Sequence, residues 1–160
     1  VNHGSNLGED VTYSGTVAAA MEATLFGVPA IALSQEISDH TNFSYEPAQH
    51  FAPEVIKRLL TQTWPIDVLL NINFPHISLE KIKGVRVVKQ GLRNINDSIF
   101  EWKDPRGRPF FWIGGTIRDN SPTESDTDLE AVQDGAISIT PLHLDLTHSS
   151  TLETLKLAFL

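Results

Sequence analysis

The sequence lacks cysteine and contains no long apolar segment. Its 160 residues include no cysteine, which excludes a disulfide framework and a thiolate metal site. No stretch approaches the ~20 apolar residues of a transmembrane helix, and no basic segment precedes an apolar one as in a secretory signal. We therefore expect no membrane association, and the cytoplasm is the expected compartment.

Positive charge and glycine-rich phosphate motifs are also scarce. Twelve Lys and Arg stand against twenty Asp and Glu, for a net charge of −8, and no basic cluster relieves the repulsion that a nucleic-acid polymer would meet. A small phosphorylated substrate remains compatible if a divalent cation offsets its charge. Neither G-x-x-x-x-G-K-[ST] nor G-x-G-x-x-G occurs, so a Walker or dinucleotide site has no support.

The first half of the chain alternates helical and strand patterns. Apolar residues recur at helical spacing from Gly15 to Phe26 and again from Pro47 to Thr63. The nearly continuous apolar run from Val28 to Ser34 is typical of parallel strands covered on both faces. The segment from Val68 to Pro75 is predicted as the next buried strand, closed by a proline. A helix leading into such a strand indicates a βαβ unit, and we predict an α/β fold.

The second half contains a long aromatic hairpin. It is predicted from Ile99 to Gly115, around a turn at Asp104–Gly107, and carries Phe100, Trp102, Phe110, Phe111 and Trp112. These rings either pack on the parent domain or contact a partner subunit, and we favour the partner.

Three further elements follow the hairpin. They are a short helix capped by Thr127 or Asp128, a strand from Ala136 that ends at a proline, and a terminal helix over residues 152–160.

The opening segment "VNHGSNLGED" concentrates polar side chains around two glycines. Asn2, Asn6 and Glu9 or Asp10 can supply the oxygen ligands that hard cations accept. The alternative is a surface turn, because turns favour the same residues. The histidines lack the i, i+4 spacing of a helical zinc site, so each is expected to be structural; His3 differs from the others in lying in the polar opening segment.

The segment "YSGT" leads directly into the first helix. A helix N-terminus offers unpaired N–H groups and about half a positive charge, so it can bind phosphate. The hydroxyls of Ser14 and Thr16 would add donors. The alternative is that Ser14 is a plain N-cap, and one residue can do both.

Taken together, these segments resemble the SurE family of metal-dependent 5′/3′-nucleotidases. The family carries S-G-I-N-x-G-x-N-x-G and then Y-S-G-T-V-x-A-A-M-E, which the chain matches from the third position onward. Further matches are "GVPAIALS", "LLNINFP", "DPRGRPFFWIGG", "TDLEAV" and "SITPLHLDLT". The resemblance therefore spans nearly the whole chain in order.

The resemblance implies roles for individual residues. Asn2 corresponds to a metal ligand, Ser14, Gly15 and Thr16 to the phosphate-contacting S-G-T with Ser14 and Thr16 catalytic, and Asn6 to a substrate-binding position of less certain role. The family's N-D-D-G aspartates and a further serine ligand do not occur here. We expect the C-terminal part of a Rossmann-like SurE fold with a protruding hairpin, one domain in the family. Residues 1–84 are expected in the nucleotidase core, and residues 85–160 are expected to form the hairpin and C-terminal oligomerisation region, which returns to the core.

The implied activity is hydrolysis of nucleoside monophosphates with one Mg²⁺ or Mn²⁺ per subunit. The implied assembly is a homodimer or homotetramer that exchanges C-terminal elements. We expect this chain alone to be inactive. The alternative hypothesis is a non-catalytic remnant that binds nucleotides and oligomerises.

Overall fold

The computed structural model describes residues 1–37, 43–92, 94–96, 99–113, 117–119 and 124–160. The strands are β1 (Asn2–His3), β2 (Ile31–Gln35), β3 (Val68–Phe74), β4 (Val85–Val87), β5 (Asn94–Asn96), β6 (Ile99–Lys103), β7 (Pro109–Ile113), β8 (Ile117–Asp119) and β9 (Ile137–His143). The α-helices are α1 (Gly15–Leu25), α2 (Glu46–Leu59), α3 (Asp128–Gln133) and α4 (Ser149–Ala158), with 3₁₀ turns at Gly8–Tyr13 and Leu79–Lys81.

The central sheet has the strand order β1-β2-β3-β9-β4. Strands β1, β2 and β3 are parallel, as the apolar runs predict, and this confirms the α/β fold. Strand β9 is antiparallel to β3 and parallel to β4. Both halves of the chain therefore contribute strands to one sheet, and the division at residue 84 remains a prediction.

The prediction that a proline ends β9 is wrong, because the strand continues through Pro141 to His143. The C=O of Ile139 accepts a hydrogen bond from the Val88 N–H at 3.0 Å, so the backbone groups of Ile139 face β4. Those of Pro141, two residues on, face the same side, beyond the paired part of β4. The missing N–H of Pro141 therefore removes no ladder bond.

Both faces of the sheet are covered by helices. On one face, α1 packs its small residues against the sheet in a buried cluster of Val11, Val17, Ala20, Ala30, Ala32, Leu69 and Leu142. On the other, α2 closes a cluster of Ala48, Ala52, Val55, Ile72, Phe74, Ile137 and Ile139. Every residue of β3 is buried, including Asn71 and Asn73, so both faces of this strand are covered.

Helix α2 tolerates a proline within its second turn. The helix begins at Glu46 with Pro47 in its first turn, and Pro53 lies inside it on the exposed side. The helix ends at Leu59, four residues before the predicted end at Thr63.

The aromatic hairpin forms as β6 and β7. Its turn is closed by Asp104, whose carboxylate accepts hydrogen bonds from the N–H groups of Arg106 and Arg108 at 2.8 and 2.9 Å. Gly107 has φ +79° in this turn. Gly114 and Gly115, the predicted end of the hairpin, lie outside the described residues.

The hairpin register places four of the five large aromatics on one face. Phe100 lies opposite Trp112, and Trp102 lies opposite Phe110. Phe111 lies opposite Glu101 on the other face. All five are exposed in this chain, with fractional exposures from 44 to 66%, so the alternative in which they pack on the parent domain is not what the structure shows.

The last helices differ in burial. Thr127 caps α3, accepting a hydrogen bond from the Glu130 N–H at 3.3 Å, which decides between the two predicted caps. The terminal helix α4 begins three residues earlier than predicted and has no buried residue. Among the described residues, no helix has the length and apolarity needed to cross a membrane.

Candidate active site

The predicted site residues gather at one edge of the sheet. Strands β1, β2 and β3 are parallel, so their carboxyl ends meet at the same edge, where α1 and α2 also begin. Ligands of open α/β sheets bind at this edge. Asn2 lies in β1, Asn6 follows it, and Ser14, Gly15 and Thr16 form the start of α1.

Asn2 is half-buried and oriented by its own turn. Its Nδ2 donates to the C=O of Gly4 at 2.8 Å, a bond that Gly4 permits by adopting φ +108°. The Asn2 amide is thereby fixed through its nitrogen. No described donor contacts its oxygen Oδ1, which leaves that atom for a ligand.

Asn6 is buried and held by side chains of two neighbouring strands. Its N–H donates to Asn73 Oδ1 at 2.7 Å, and its C=O accepts from the Nδ2 atoms of Asn71 and Asn73 at 2.8 and 3.1 Å. Its own Nδ2 donates to Ser34 Oγ at 2.6 Å. Asn6 therefore anchors the loop after β1 within the chain, and its contact with substrate remains a prediction.

A buried carboxylate fixes the other end of this loop. Asp128, at the start of α3, accepts hydrogen bonds from the N–H groups of Gly8 and Gly91 at 2.9 and 2.8 Å. The Gln90 side chain adds a bond from its Nε2 to the Gly8 C=O at 2.9 Å. Gly8 has φ +55°, and a Cβ there would lie 3.1 Å from the Gly91 C=O oxygen. The Asp128 carboxyl group therefore ties the turn that leads into α1 to the start of α3.

Ser14 is the N-cap of α1. Its Oγ accepts a hydrogen bond from the Val17 N–H at 3.1 Å, and its C=O accepts from the Ala18 N–H at 2.9 Å. The cap uses the oxygen of the hydroxyl as an acceptor, and the O–H hydrogen stays available as a donor. The cap alternative is therefore confirmed, and it is compatible with phosphate binding.

Gly15 leaves the N-terminus of α1 open. Gly15 is exposed, and a Cβ added there would meet no atom within 4 Å. The N–H groups of Gly15 and Thr16 belong to the first turn, where a helix provides no internal acceptor. An anion can approach both groups without displacing a side chain.

Ser14 and Thr16 face different hollows. Ser14 lines one of about 580 Å³ together with Gln90, His143 and Asp145. Thr16 lines one of about 420 Å³ between α1 and β2, which Val1 also borders. Although the S-G-T motif suggests a single pair of hydroxyls, the helical turn directs the two residues to opposite sides of Gly15.

Charge distinguishes these two hollows. Hydrogen bonds from the Thr147 side chain and N–H lower the pKa of Asp145, and His143 lowers it further. Asp145 therefore places a negative charge in the hollow that Ser14 lines. The hollow beside Thr16 has no acidic residue in its lining.

The described part of this edge offers a divalent metal one suitable ligand. Asn2 Oδ1 is a hard oxygen donor of the kind that Mg²⁺ accepts. Among the described residues, no group of three or more His, Cys, Asp or Glu is close enough to hold a metal ion. The donor set of the described chain therefore fits a metal only as one part of a site.

Four aromatic rings cluster at the same edge. His3 lies at the end of β1, Phe43 and Tyr45 precede α2, and His76 follows β3. The ring centroids of His3 and Phe43 are 4.1 Å apart, and those of Phe43 and Tyr45 are 4.5 Å apart. Sequence analysis missed Phe43 and Tyr45, because they lie in a polar connecting segment with no recognisable period.

Asn71, Asn73 and Asp128 were also missed as site residues. The two asparagines alternate with Leu70, Ile72 and Phe74 in an otherwise apolar strand. A polar residue therefore stands at every second position in this part of β3. That alternation was the available signal. Asp128 was considered only as a cap.

Comparisons with known proteins identify the family. The sequence model of the family described as Survival protein SurE matches residues 1–97. The chain is 49% identical over 159 residues to the 5′-nucleotidase SurE of Paramagnetospirillum magneticum, covering 99% of this chain and 61% of that protein. It is 48% identical over 160 residues to the 5′-nucleotidase SurE of Caulobacter vibrioides, covering 98% and 60%.

A comparison of folds gives the same result. The crystal structure of the SurE protein from Aquifex aeolicus is similar with a TM-score of 0.83 and 40% sequence identity, covering 99% of this chain and 62% of that one. The chain thus spans about three fifths of the length of the curated relatives it matches. From the family match over residues 1–97 and these similarities, the chain belongs to the SurE family.

Proposed function

We propose that this chain forms part of a nucleotidase that hydrolyses nucleoside monophosphates to nucleoside and phosphate, with the 5′/3′ activity and the single Mg²⁺ or Mn²⁺ implied by the resemblance. The observation that carries the proposal is the open start of α1, where Gly15 leaves two N–H groups accessible at the edge of the sheet that also carries Asn2. The relatives named 5′-nucleotidase SurE support it.

The chain's own residues would bind and orient the phosphate. The N–H groups of Gly15 and Thr16 hold phosphoryl oxygens, and the partial positive charge of the helix end stabilises the charge that develops on them. The Thr16 hydroxyl donates from one side, and the hydroxyl of Ser14 donates while its oxygen keeps the Val17 cap. Such donors act best when they are fixed beforehand, and the Asn6 and Asp128 networks supply that rigidity.

Asn2 would hold the divalent cation through Oδ1. When bound, such a cation polarises the phosphate and lowers the pKa of a bound water. The remaining ligands implied by the resemblance, the N-D-D-G aspartates and a serine, do not occur in these 160 residues. We therefore propose that the chain corresponds to the C-terminal part of the enzyme and is inactive alone.

The alternative proposal is a non-catalytic remnant that binds nucleotides and oligomerises. The open start of α1 at Gly15 suits both proposals. The two differ in one observable. Only the enzyme proposal predicts phosphate release when the chain replaces the matching part of a curated relative.

We propose self-association through the hairpin. Phe100, Trp102, Phe110 and Trp112 form an exposed aromatic face that isolated monomers seldom carry. A homodimer or homotetramer would cover it, with the exposed α4 as a second contact. The cytoplasmic location remains a prediction.

The proposal is tested in a hybrid enzyme, in which this chain replaces the matching part of the Paramagnetospirillum magneticum relative. Ser14→Ala and Thr16→Ala should each lower the turnover of AMP by roughly 10²–10³-fold, as for other transition-state donors. The exposed Thr63→Ala serves as the matched control and should leave the rate unchanged. Full turnover by the Thr16→Ala hybrid would contradict the proposed role and show that Thr16 has only a structural role at the start of α1.

A further inference from the structure

An aromatic surface lies at the edge of the sheet where α1 also begins. Phe43 is its centre, with ring centroids 4.1 Å from His3, 4.5 Å from Tyr45 and 5.8 Å from His76. The contacts to His3 and Tyr45 are edge-to-face, and the one to His76 is stacked with an interplanar angle of 28°. Three separate segments of the chain thus bring their rings together at one edge.

These rings are outside the buried core. His3 is exposed, whereas Phe43, Tyr45 and His76 are half-buried, so ring surface remains in contact with solvent. The backbone beneath them is held firmly, because Gln35 Nε2 donates to the C=O groups of Phe74 and Pro75 at 3.2 and 3.1 Å. Gln35 Oε1 accepts the Ala48 N–H in α2 at 3.1 Å.

The rings and the phosphate-binding groups share the edge but lie on its two sides. Asn2 and His3 are consecutive in β1, so their side chains project to opposite faces of the sheet. Asn2 is in register with Ser34, on the face that α1 covers. His3 contacts Phe43 and Tyr45, which lead into α2 on the other face. A ligand that crosses the edge beside β1 would therefore have a phosphate at one end and a flat ring at the other.

We propose that the surface formed by His3, Phe43, Tyr45 and His76 stacks the base of the nucleoside monophosphate. The identity of the ligand rests on the proposed function, but the stacking does not require catalysis. Aromatic side chains stack any base, because every base has a π-face. The surface therefore binds purines and pyrimidines with little discrimination, and it explains how substrate is held at the end remote from the phosphate.

The test separates base binding from phosphate chemistry by using adenosine, which has no phosphate. Adenosine binding to this chain is measured by titration calorimetry, with ribose 5-phosphate as the second probe. Phe43→Ala should weaken adenosine binding roughly 5- to 100-fold, the range typical of losing a base-stacking ring. The matched control Phe26→Ala removes a ring that is 78% exposed at the far end of α1 and should have no effect.

A second variant keeps the test decisive if alanine disturbs the fold. Phe43→Leu preserves an apolar side chain but removes the π-face, and it should weaken adenosine binding while leaving the calorimetric binding of ribose 5-phosphate, which has no base, unchanged. Adenosine binding that is equal in the native chain, Phe43→Leu and Phe26→Ala would overturn the proposal. A hybrid that fails to hydrolyse AMP would overturn the proposed function instead, because adenosine binding is measured independently.

Discussion

The side-chain amide of Asn73 pairs with the backbone of Asn6 as a neighbouring strand would. Its Oδ1 accepts the Asn6 N–H at 2.7 Å, and its Nδ2 donates to the Asn6 C=O at 3.1 Å. Both residues are buried, so neither backbone group has water as a substitute partner. This pairing holds the loop between Asn2 and the start of α1 onto β3.

Asn73→Leu is therefore expected to destabilise the chain. The substitution keeps a similar volume but leaves the Asn6 N–H without its acceptor, and one unsatisfied buried group costs about 1–3 kcal/mol. Urea denaturation monitored by circular dichroism gives the free energy of unfolding. Asn2→Leu is the control, because Asn2 donates only to its own turn, and it should cost much less. Equal stabilities of the two variants would show that the pairing is unimportant.

Gly15→Ala should separate stability from phosphate binding. The added Cβ meets nothing in the chain, and alanine restricts the unfolded state, so the free energy of unfolding should be unchanged or higher by up to about 1 kcal/mol. If phosphate approaches the N–H groups of Gly15 and Thr16, that Cβ occupies its path, and hybrid turnover should fall by roughly 10²-fold. Unimpaired turnover in the stable variant would place the phosphate elsewhere.

Acid should weaken the contact between β4 and α3. Arg86 Nη2 lies 2.8 Å from Glu130 Oε2, and this hydrogen bond, with a second from the Asp126 N–H, lowers the pKa of Glu130 below its ordinary value of 4.5. A carboxyl with a lower pKa in the folded chain stabilises the fold above pH 4.5 and loses that contribution as the pH falls through the folded value.

The difference in urea midpoint between the native chain and Glu130→Gln should accordingly be larger at about pH 7 than at about pH 3. Glu22→Gln, which removes the same charge from the exposed side of α1, corrects for the change in net charge. A pH-independent difference between the native chain and Glu130→Gln would argue that the Arg86 contact contributes nothing through ionisation.

The aromatic hairpin should control the oligomeric state. Replacing Trp102 and Trp112 by threonine preserves strand propensity but removes two rings from the exposed face, each worth about 1.5–3 kcal/mol when buried. Sedimentation velocity of the hybrid should then shift towards monomer. Phe111→Thr, on the opposite face of the ribbon, is the matched control. A hybrid that keeps its mass after both tryptophans are replaced would show that another surface forms the interface.

Local pattern was sufficient to predict the elements but not their long-range partners. The apolar run of β3 and the cap at Ser14 follow from neighbouring residues, and the structure contains both. The antiparallel placement of β9 and its passage through Pro141 depend on which strands lie beside it. Asn6 and Asn73 are separated by 67 positions, and no local period encodes such a pairing. The opposite directions of Ser14 and Thr16 likewise appear only once α1 is packed on the sheet.

The central claim is that this chain supplies Asn2 and the anion-binding start of α1 to a nucleotidase site. The most direct measurement is phosphate release from AMP with Mn²⁺, compared for this chain alone, the hybrid enzyme and the hybrid with Asn2→Ala. The account predicts turnover by the hybrid only, with a higher Mn²⁺ requirement or lost activity in the Asn2→Ala hybrid. Turnover by the chain alone at the level of the hybrid, or an Asn2→Ala hybrid with an unchanged metal dependence, would contradict it.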